Sequence, residues 1–342
     1  MPLVSTNSMQ MTPTTRQKLL FWLLLAAASS FFAEVISGSE LFPFSTPNGL
    51  LLVVPLYGLH ILLLSGMVYS KGIPRFHTLF FAGMLFGLYE AYITKVLWNP
   101  FWEGPFFHIL EIEIPAATTL VLWWHPFMSF IVPLMLVEIF ATTSSTVFES
   151  LPGRLRGWLG SPRIQVGLAM AAGLLQTAGK PPLLSFIAGI VGLLVLWLLL
   201  AWWRRTNRNK LPLTQLLPAN RQLRWVLAFL ILLYLLTGFN IRPEALPGVT
   251  GHVVILAIYI LTGLLLWRGL RQSSAKEPAA SAIDLPARRV FTLVSVYLLA
   301  TLLSSFFPDN IKLIIFVAET IFGWIFGISI FIYCLRQVFK RS

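Results

Sequence analysis

Charged residues are scarce in this chain. Only 11% of its 342 residues are Asp, Glu, Lys or Arg, whereas 57% are hydrophobic, and a soluble domain carries about 25% charged residues. The apolar residues also occur in runs of about 20, the length of a helix that crosses about 30 Å of hydrocarbon. This composition excludes a soluble globular fold and predicts an all-α fold, a polytopic integral membrane helical bundle.

Cysteine and acidic residues are also few. The single cysteine, Cys334, excludes a disulfide within the chain and a metal site built from several thiolates. The 13 acidic residues are outnumbered by 25 basic ones, giving a net charge of +12. The basic residues lie in short loops between apolar runs, so we expect them to contact anionic lipid head groups of the bilayer and not nucleic acid.

Ten apolar segments are candidates for membrane-spanning helices. They lie at residues 18–37, 49–69, 76–97, 118–141, 164–178, 183–203, 223–239, 250–267, 290–306 and 313–335. The fifth is the shortest and is rich in Ala and Gly. The predicted organisation is a cytoplasmic N-terminal tail (1–17), one transmembrane domain (18–335) and a cytoplasmic C-terminal tail (336–342).

The positions of the basic residues test this topology. With the N-terminus in the cytoplasm, the outer segments hold four basic residues, Lys95, Lys180, Arg242 and Lys312, and the inner segments hold the other 21 of the 25. Short cytoplasmic loops carry an excess of Lys and Arg. The distribution therefore favours ten spans with both termini inside, in the plasma membrane.

Ionisable groups within the apolar segments are the main candidates for function, because they are costly at membrane depth. Four carboxylates lie there, and the topology places Glu34, Glu90 and Glu319 in the outer half and Glu138 near the inner face. His125 lies one helical turn from Ser129 on the same face of span four.

Small residues accompany two of these carboxylates. Gly83 and Gly87 share a helical face with Glu90, and Gly323 and Gly327 share one with Glu319. Such small-residue pairs let helices approach closely. We expect spans one, three and ten to pack together and to present Glu34, Glu90 and Glu319 to a shared outer cavity, with His125 as a partner. The alternative is that the glycines serve packing alone and each glutamate is neutral and hydrogen-bonded.

The predicted outer loop between spans three and four holds His108, Glu111 and Glu113. With His125 nearby, these residues could bind a divalent metal, since histidine and carboxylate suit several metals. The alternative is a solvated acidic rim that attracts cations. No other cofactor is predicted. His60, near the middle of span two, is either a hydrogen-bonded packing residue or part of a site.

Three classes of function fit these features, and the sequence identifies no substrate. The first is a permease, or a proton- or cation-linked carrier, with Glu90 and Glu319 as proton or cation carriers and Glu34 and His125 as their partners. The second is a membrane-embedded hydrolase or transferase for a lipid-like substrate, with Glu90, His108, Glu111 and His125 as base or metal ligands. The third is a non-catalytic assembly subunit.

Overall fold

The computed structural model describes residues 12–100, 107–207, 211–274 and 285–340, and nearly all of its regular structure is helical. The elements of the first half, in chain order, are α1 (Thr15–Ser30), π1 (Phe31–Val35), π2 (Gly49–Val53), α2 (Val54–Tyr69), α3 (Phe76–Gly87), α4 (Tyr89–Tyr92), β1 (His108–Ile109), β2 (Ile112–Glu113), α5 (Ile114–Ala117), π3 (Thr118–Ile131) and α6 (Val132–Ala141). The two short strands form an antiparallel hairpin in which His108 lies opposite Glu113.

The second half consists of longer helices joined by short connections. Its elements are α7 (Thr146–Ser150), α8 (Gly153–Gly160), α9 (Pro162–Gln176), α10 (Pro182–Thr206), α11 (Leu213–Leu216), α12 (Arg221–Gly238), a 3-10 turn (Pro243–Ala245), α13 (Val249–Leu270), α14 (Ala287–Leu303), a second 3-10 turn (Ser304–Phe306) and α15 (Asp309–Phe339).

Eight helices in the described residues are long and apolar enough to cross a membrane. They correspond to eight of the ten predicted spans. The third predicted span differs because its helix ends at Gly87, after 12 residues, and the fifth because α9 has only 15. The all-α membrane bundle is thus confirmed, while the number ten and the cytoplasmic position of the termini stay predictions.

The predicted loops nevertheless segregate to two ends of the bundle. Hydrogen bonds connect five of the predicted inner segments in two groups. Ile73 bonds Ser274 and Arg268 bonds Val338 in the first, and Thr143 bonds Leu211 in the second. A cavity of about 390 Å³ lies at this inner end, lined among others by Arg75, His77 and Gln337. At the opposite, outer end, Arg242 donates to the carbonyl of Thr94 at 3.1 Å and Gly248 donates to the carboxylate of Glu111 at 2.5 Å.

Span four, built from π3 and α6, occupies the centre of the bundle. A side chain at Gly83 would place its Cβ 2.4 Å from Cα of Pro126, and one at Gly327 would place it 2.8 Å from the carbonyl oxygen of Leu122. The glycine faces of spans three and ten therefore both pack on span four. We expected these glycine faces to bring spans one, three and ten together, but each face meets span four instead, while spans three and ten also touch through the rings of Phe76 and Tyr333. The shared outer cavity stays a prediction.

Candidate functional site

Two π-helical stretches carry predicted site residues. Glu34 lies on π1 and His125 on the 14-residue π3. Pro126 and Pro133 interrupt the normal hydrogen-bond ladder of span four, because proline has no N–H to donate. Since π-helices are rare and often occur at functional sites, this backbone points to span four as the scaffold of a site.

Glu90, His125 and Ser129 form a buried hydrogen-bonded chain. Nε2 of His125 lies 2.9 Å from Oε1 of Glu90, and Nδ1 lies 2.7 Å from the hydroxyl oxygen of Ser129. The three side chains are 6%, 1% and 0% exposed. An ionised Glu90 can only accept, so in that state Nε2–H of His125 donates to it, and Nδ1 of a neutral His125 accepts a hydrogen bond from the Ser129 hydroxyl. The second carboxylate oxygen of Glu90 accepts from the hydroxyl of Thr94.

Glu34 ends a second chain that reaches the same place. Tyr57 donates to its carboxylate at 2.6 Å, and the hydroxyls of Tyr57 and Tyr89 lie 2.8 Å apart. Because Tyr57 has a single proton to donate, Tyr89 must be the donor to Tyr57. The Tyr89 ring contacts the His125 ring edge-on, with centroids 5.1 Å apart. The two chains therefore meet at Tyr89, Glu90 and His125.

Aromatic rings enclose the junction of the two chains. The Phe86 ring stacks on His125 with centroids 5.8 Å apart and on His60 at 4.9 Å. His60 is bonded through Nδ1 to the carbonyl of Leu56 at 2.7 Å and through Nε2 to the hydroxyl of Tyr234 at 3.1 Å. His60 is thus a packing residue with both nitrogens satisfied, placed one ring away from His125.

The helix break after Gly87 positions Glu90. The break is followed by the short helix α4, which carries Glu90. After α4 the backbone is non-helical and mostly buried, and within a bilayer its carbonyls need partners. Side chains supply these partners: Tyr259 donates to the carbonyl of Leu88 at 2.6 Å, Trp98 to that of Ala91, and Arg242 to those of Thr94 and Asn99. Irregular backbone in the protein interior is typical of ion and substrate sites in membrane proteins.

Glu319 lies apart from this cluster. It is on α15, whose Gly323 and Gly327 meet Trp123 and Leu122 of π3. No hydrogen bond among the described residues joins Glu319 to Glu34, Glu90 or His125. One of its carboxylate oxygens is buried without a partner in the described part of the chain. The structure thus brings together three of the four residues predicted for the carboxylate site.

The predicted metal ligands of the outer loop point to different partners. Glu111 accepts from the N–H of Gly248, whereas Glu113 accepts from the N–H of Ala116 and so caps α5. His108 lies 3.3 Å from the carbonyl oxygen of Trp98 through Nε2. Burial raises the pKa of the Glu113 carboxyl, opposed by the bond from Ala116 and by nearby His108. Within the described residues, no three His, Cys, Asp or Glu side chains are grouped as a metal site would need.

Glu138 has a structural environment. It is fully buried, and its carboxylate accepts from the backbone N–H groups of Thr146 and Val147 at 2.8 Å each. It therefore caps the first turn of α7 at the inner end, away from the cluster, as its place in the sequence suggested. Sequence reasoning did not assign roles to Tyr57, Tyr89 and Thr94; the spacing of Thr94 four residues after Glu90 was the one available signal.

The fold and the buried polar cluster define a multi-pass integral membrane protein. A family model described as an uncharacterized membrane protein family matches residues 23–341, and the chain belongs to that family. The chain is also 33% identical to an uncharacterized protein of Archaeoglobus fulgidus over 322 residues, which cover 94% of this chain and all of the relative. No solved structure matches the chain.

Proposed function

We propose that this protein is a proton-linked carrier of the plasma membrane whose proton-binding centre is the Glu90–His125 pair. The observation that carries the proposal is the buried chain from Glu90 through His125 to Ser129, set at the break of span three. Buried ionisable groups at the interior of a helical bundle are the usual components of proton relays.

The pair has the chemistry that such a relay needs. Glu90 and His125 can together bind zero, one or two protons beyond the state with an ionised glutamate and a neutral histidine. The donor chain from Tyr89 through Tyr57 ends on the carboxylate of Glu34, so Glu34 is the second proton acceptor in this proposal. Separating Glu90 from His125 would remove this hydrogen bond from a buried carboxylate, which couples the proton occupancy of Glu90 to the arrangement of spans three and four.

The test is proton uptake into proteoliposomes that contain a pH-sensitive dye. Wild-type protein should acidify the lumen under an imposed potential, and Glu90→Gln should abolish this uptake while retaining expression and the unfolding temperature. Asp309→Asn, at an exposed carboxylate that pairs only with Lys312 among the described ion pairs, is the control variant. Normal proton uptake by well-folded Glu90→Gln protein would contradict the proposal.

The same three residues favour one second candidate, a membrane-embedded serine hydrolase for a lipid-like ester. A serine hydroxyl that donates to a histidine, which in turn donates to a carboxylate, is the arrangement that activates a nucleophile. Ser129 separates the two functions. A hydrolase would be labelled at Ser129 by a fluorophosphonate and lose all activity in Ser129→Ala, whereas a carrier would remain unlabelled and keep proton uptake in that variant.

A further inference from the structure

Two cations at the outer end tie the connection of spans three and four to that of spans seven and eight. The ammonium of Lys95 donates to the carbonyl of Ile241, and the guanidinium of Arg242 donates to the carbonyls of Thr94 at 3.1 Å and Asn99 at 2.7 Å. The contact is reciprocal, because each segment donates from a cationic side chain to backbone carbonyls of the other. These are two of the four basic residues on the predicted outer side.

This contact reaches the candidate proton site through a single residue. Arg242 holds the backbone of Thr94, and the Thr94 side chain donates to the carboxylate of Glu90. Lys95 is fully buried next to Thr94 and also lies 3.4 Å from the carbonyl oxygen of Ile93. The two cations therefore fix the segment from which Glu90 receives one of its hydrogen bonds.

A third bond joins the hairpin of the outer loop to the same partner. The carboxylate of Glu111 accepts from the N–H of Gly248 at 2.5 Å, and a Cβ added at Gly248 would lie 3.6 Å from Cδ of Glu111. Gly248 immediately precedes α13. The outer loops thus contact each other on both sides of the 3-10 turn at Pro243–Ala245.

Backbone strain is concentrated in these same loops. The described residues include five non-glycine residues with positive φ, and four of them are Lys95, Leu110, Glu111 and Arg242, with φ between 47° and 67°. Side chains with a Cβ rarely adopt this conformation, and such strain persists only where surrounding contacts enforce it, often at switch regions. Leu110 and Glu111 form the two-residue turn of the β1–β2 hairpin, where positive φ is the usual conformation. Of the other three residues with positive φ, two are Lys95 and Arg242, the cations that make the cross-loop bonds.

We propose that Lys95, Arg242 and Glu111 form an outer gate that is closed in this structure, and that Lys95 and Arg242 are positioning residues for Glu90. When the gate opens, the cross-loop bonds break, the strained residues relax and Thr94 releases the Glu90 carboxylate to the outer side. This inference rests on the proposed function for its purpose, but the first of its two experiments tests the gate without a transport measurement.

The first experiment is hydrogen–deuterium exchange of the full chain in lipid nanodiscs. Arg242→Gln and Lys95→Gln should raise the exchange rate of the amides of residues 93–97 by about tenfold, because local opening becomes less costly. Arg242→Lys, which keeps the charge, should restore part of the protection. Lys180→Gln, at the exposed outer-side lysine, is the matched control and should leave exchange unchanged. Equal protection in Arg242→Gln and wild type would overturn the gate.

The second experiment keeps both cations and locks the gate. In a Cys334→Ala background, Glu111→Cys and Gly248→Cys are joined by a short cleavable thiol crosslinker. Crosslinking should reduce proton uptake by at least about tenfold, since opening at the outer end is required for exchange with that side. Cleavage of the linker should restore it. Full uptake after complete crosslinking would overturn the gate, and this arm decides the matter if Arg242→Gln fails to fold.

The two proposals fail in different ways. If wild-type protein moves no protons, the proposed function fails, and deuterium exchange alone decides whether Lys95 and Arg242 hold the outer loops. If Glu90→Gln abolishes proton uptake but the crosslink does not change it, the proposed carrier function is supported and the proposed gate is contradicted. A merely structural role for Arg242 would lower the unfolding temperature of Arg242→Gln without the rescue of exchange protection by Arg242→Lys.

Discussion

The two halves of the chain are similarly apolar but differ in burial. In an 18-residue apolar stretch of each of the candidate spans Thr15–Val35, Gly49–Tyr69 and Ile114–Ala141, 67% of the residues are buried. The share is 17–28% in the corresponding stretches of the five candidate spans of the second half. The first half forms the interior of the bundle, and the second half largely covers it and faces lipid. Apolar surface alone cannot produce this division, because lipid tails are as apolar as leucine.

Polar contacts between helices are one source of the difference, although the second half also has some, such as that of Tyr297 with Gln176. In the first half, Ser29 on α1 donates to the carbonyl of Ser129 at 2.6 Å, and Trp124 on π3 donates to the carbonyl of Ala33 at 3.1 Å. In the second half, hydroxyls such as those of Thr292, Thr320 and Ser329 donate to carbonyls four residues earlier in their own helix. A hydroxyl that is already hydrogen-bonded within its own helix does not stabilise the burial of that helix against another.

The largest expected effect breaks the polar interior of the first half. Glu138→Ala should lower the free energy of unfolding by about 3 kcal/mol, since it leaves the buried N–H groups of Thr146 and Val147 without an acceptor. Glu149→Ala is the matched control on α7, the short helix that Glu138 caps. The partly exposed ion pair of Glu149 with Arg156 contributes at most about 1 kcal/mol. Denaturant unfolding in detergent measures both, and equal losses would contradict the assigned role of Glu138.

The second effect tests close packing on span four. Gly83→Ala should cost about 1–3 kcal/mol, because its Cβ would lie 2.4 Å from Cα of Pro126 and force spans three and four apart. Gly263→Ala, on α13 with no atom within 4 Å of the added Cβ, should leave the unfolding midpoint unchanged or raise it. A larger loss of stability in Gly263→Ala than in Gly83→Ala would show that span four is not the packing centre.

A smaller effect compares the two kinds of hydroxyl directly. Ser29→Ala removes a buried hydrogen bond between helices and should cost about 1 kcal/mol. Ser329→Ala removes a bond within α15 at an exposed position, and we expect a change below about 0.5 kcal/mol. Unfolding midpoints of the two variants, measured in the same detergent, decide between cross-helix and local bonding as the source of the first half's burial.

The smallest effect concerns the carboxylate of the second half. Glu319→Gln should leave proton uptake within about twofold of wild type, because Glu319 shares no hydrogen bond with the Glu90–His125 pair in the described residues. The comparison is with Glu90→Gln in the same proteoliposomes. Equal loss in both variants would return Glu319 to the proton site and place a functional carboxylate in the lipid-facing half.

Much of the site was predictable because ionisable residues are rare and costly within membrane-spanning segments. Glu34, Glu90 and His125 were identified by their place in apolar runs, and His125 and Ser129 by their spacing on one helix. The partners Tyr57 and Tyr89 were not, since a tyrosine in an apolar run is common and its hydroxyl has no preferred partner in the sequence. Lys95 and Arg242 were counted only as topology signals, because their acceptors are backbone carbonyls of a distant loop.

The sequence by itself determined that the chain is a helical membrane protein, where its apolar helices lie and which ionisable residues they carry, because hydrocarbon excludes charge and demands satisfied backbone. Only the tertiary structure decided which helices are interior. Gly83 and Gly327 indicate close helix packing, but the sequence does not show which helix they pack against. In the structure both pack against span four. The same packing joined Glu34, Glu90 and His125 and left Glu319 outside, since contacts between distant residues depend on helix order and rotation that local patterns do not encode.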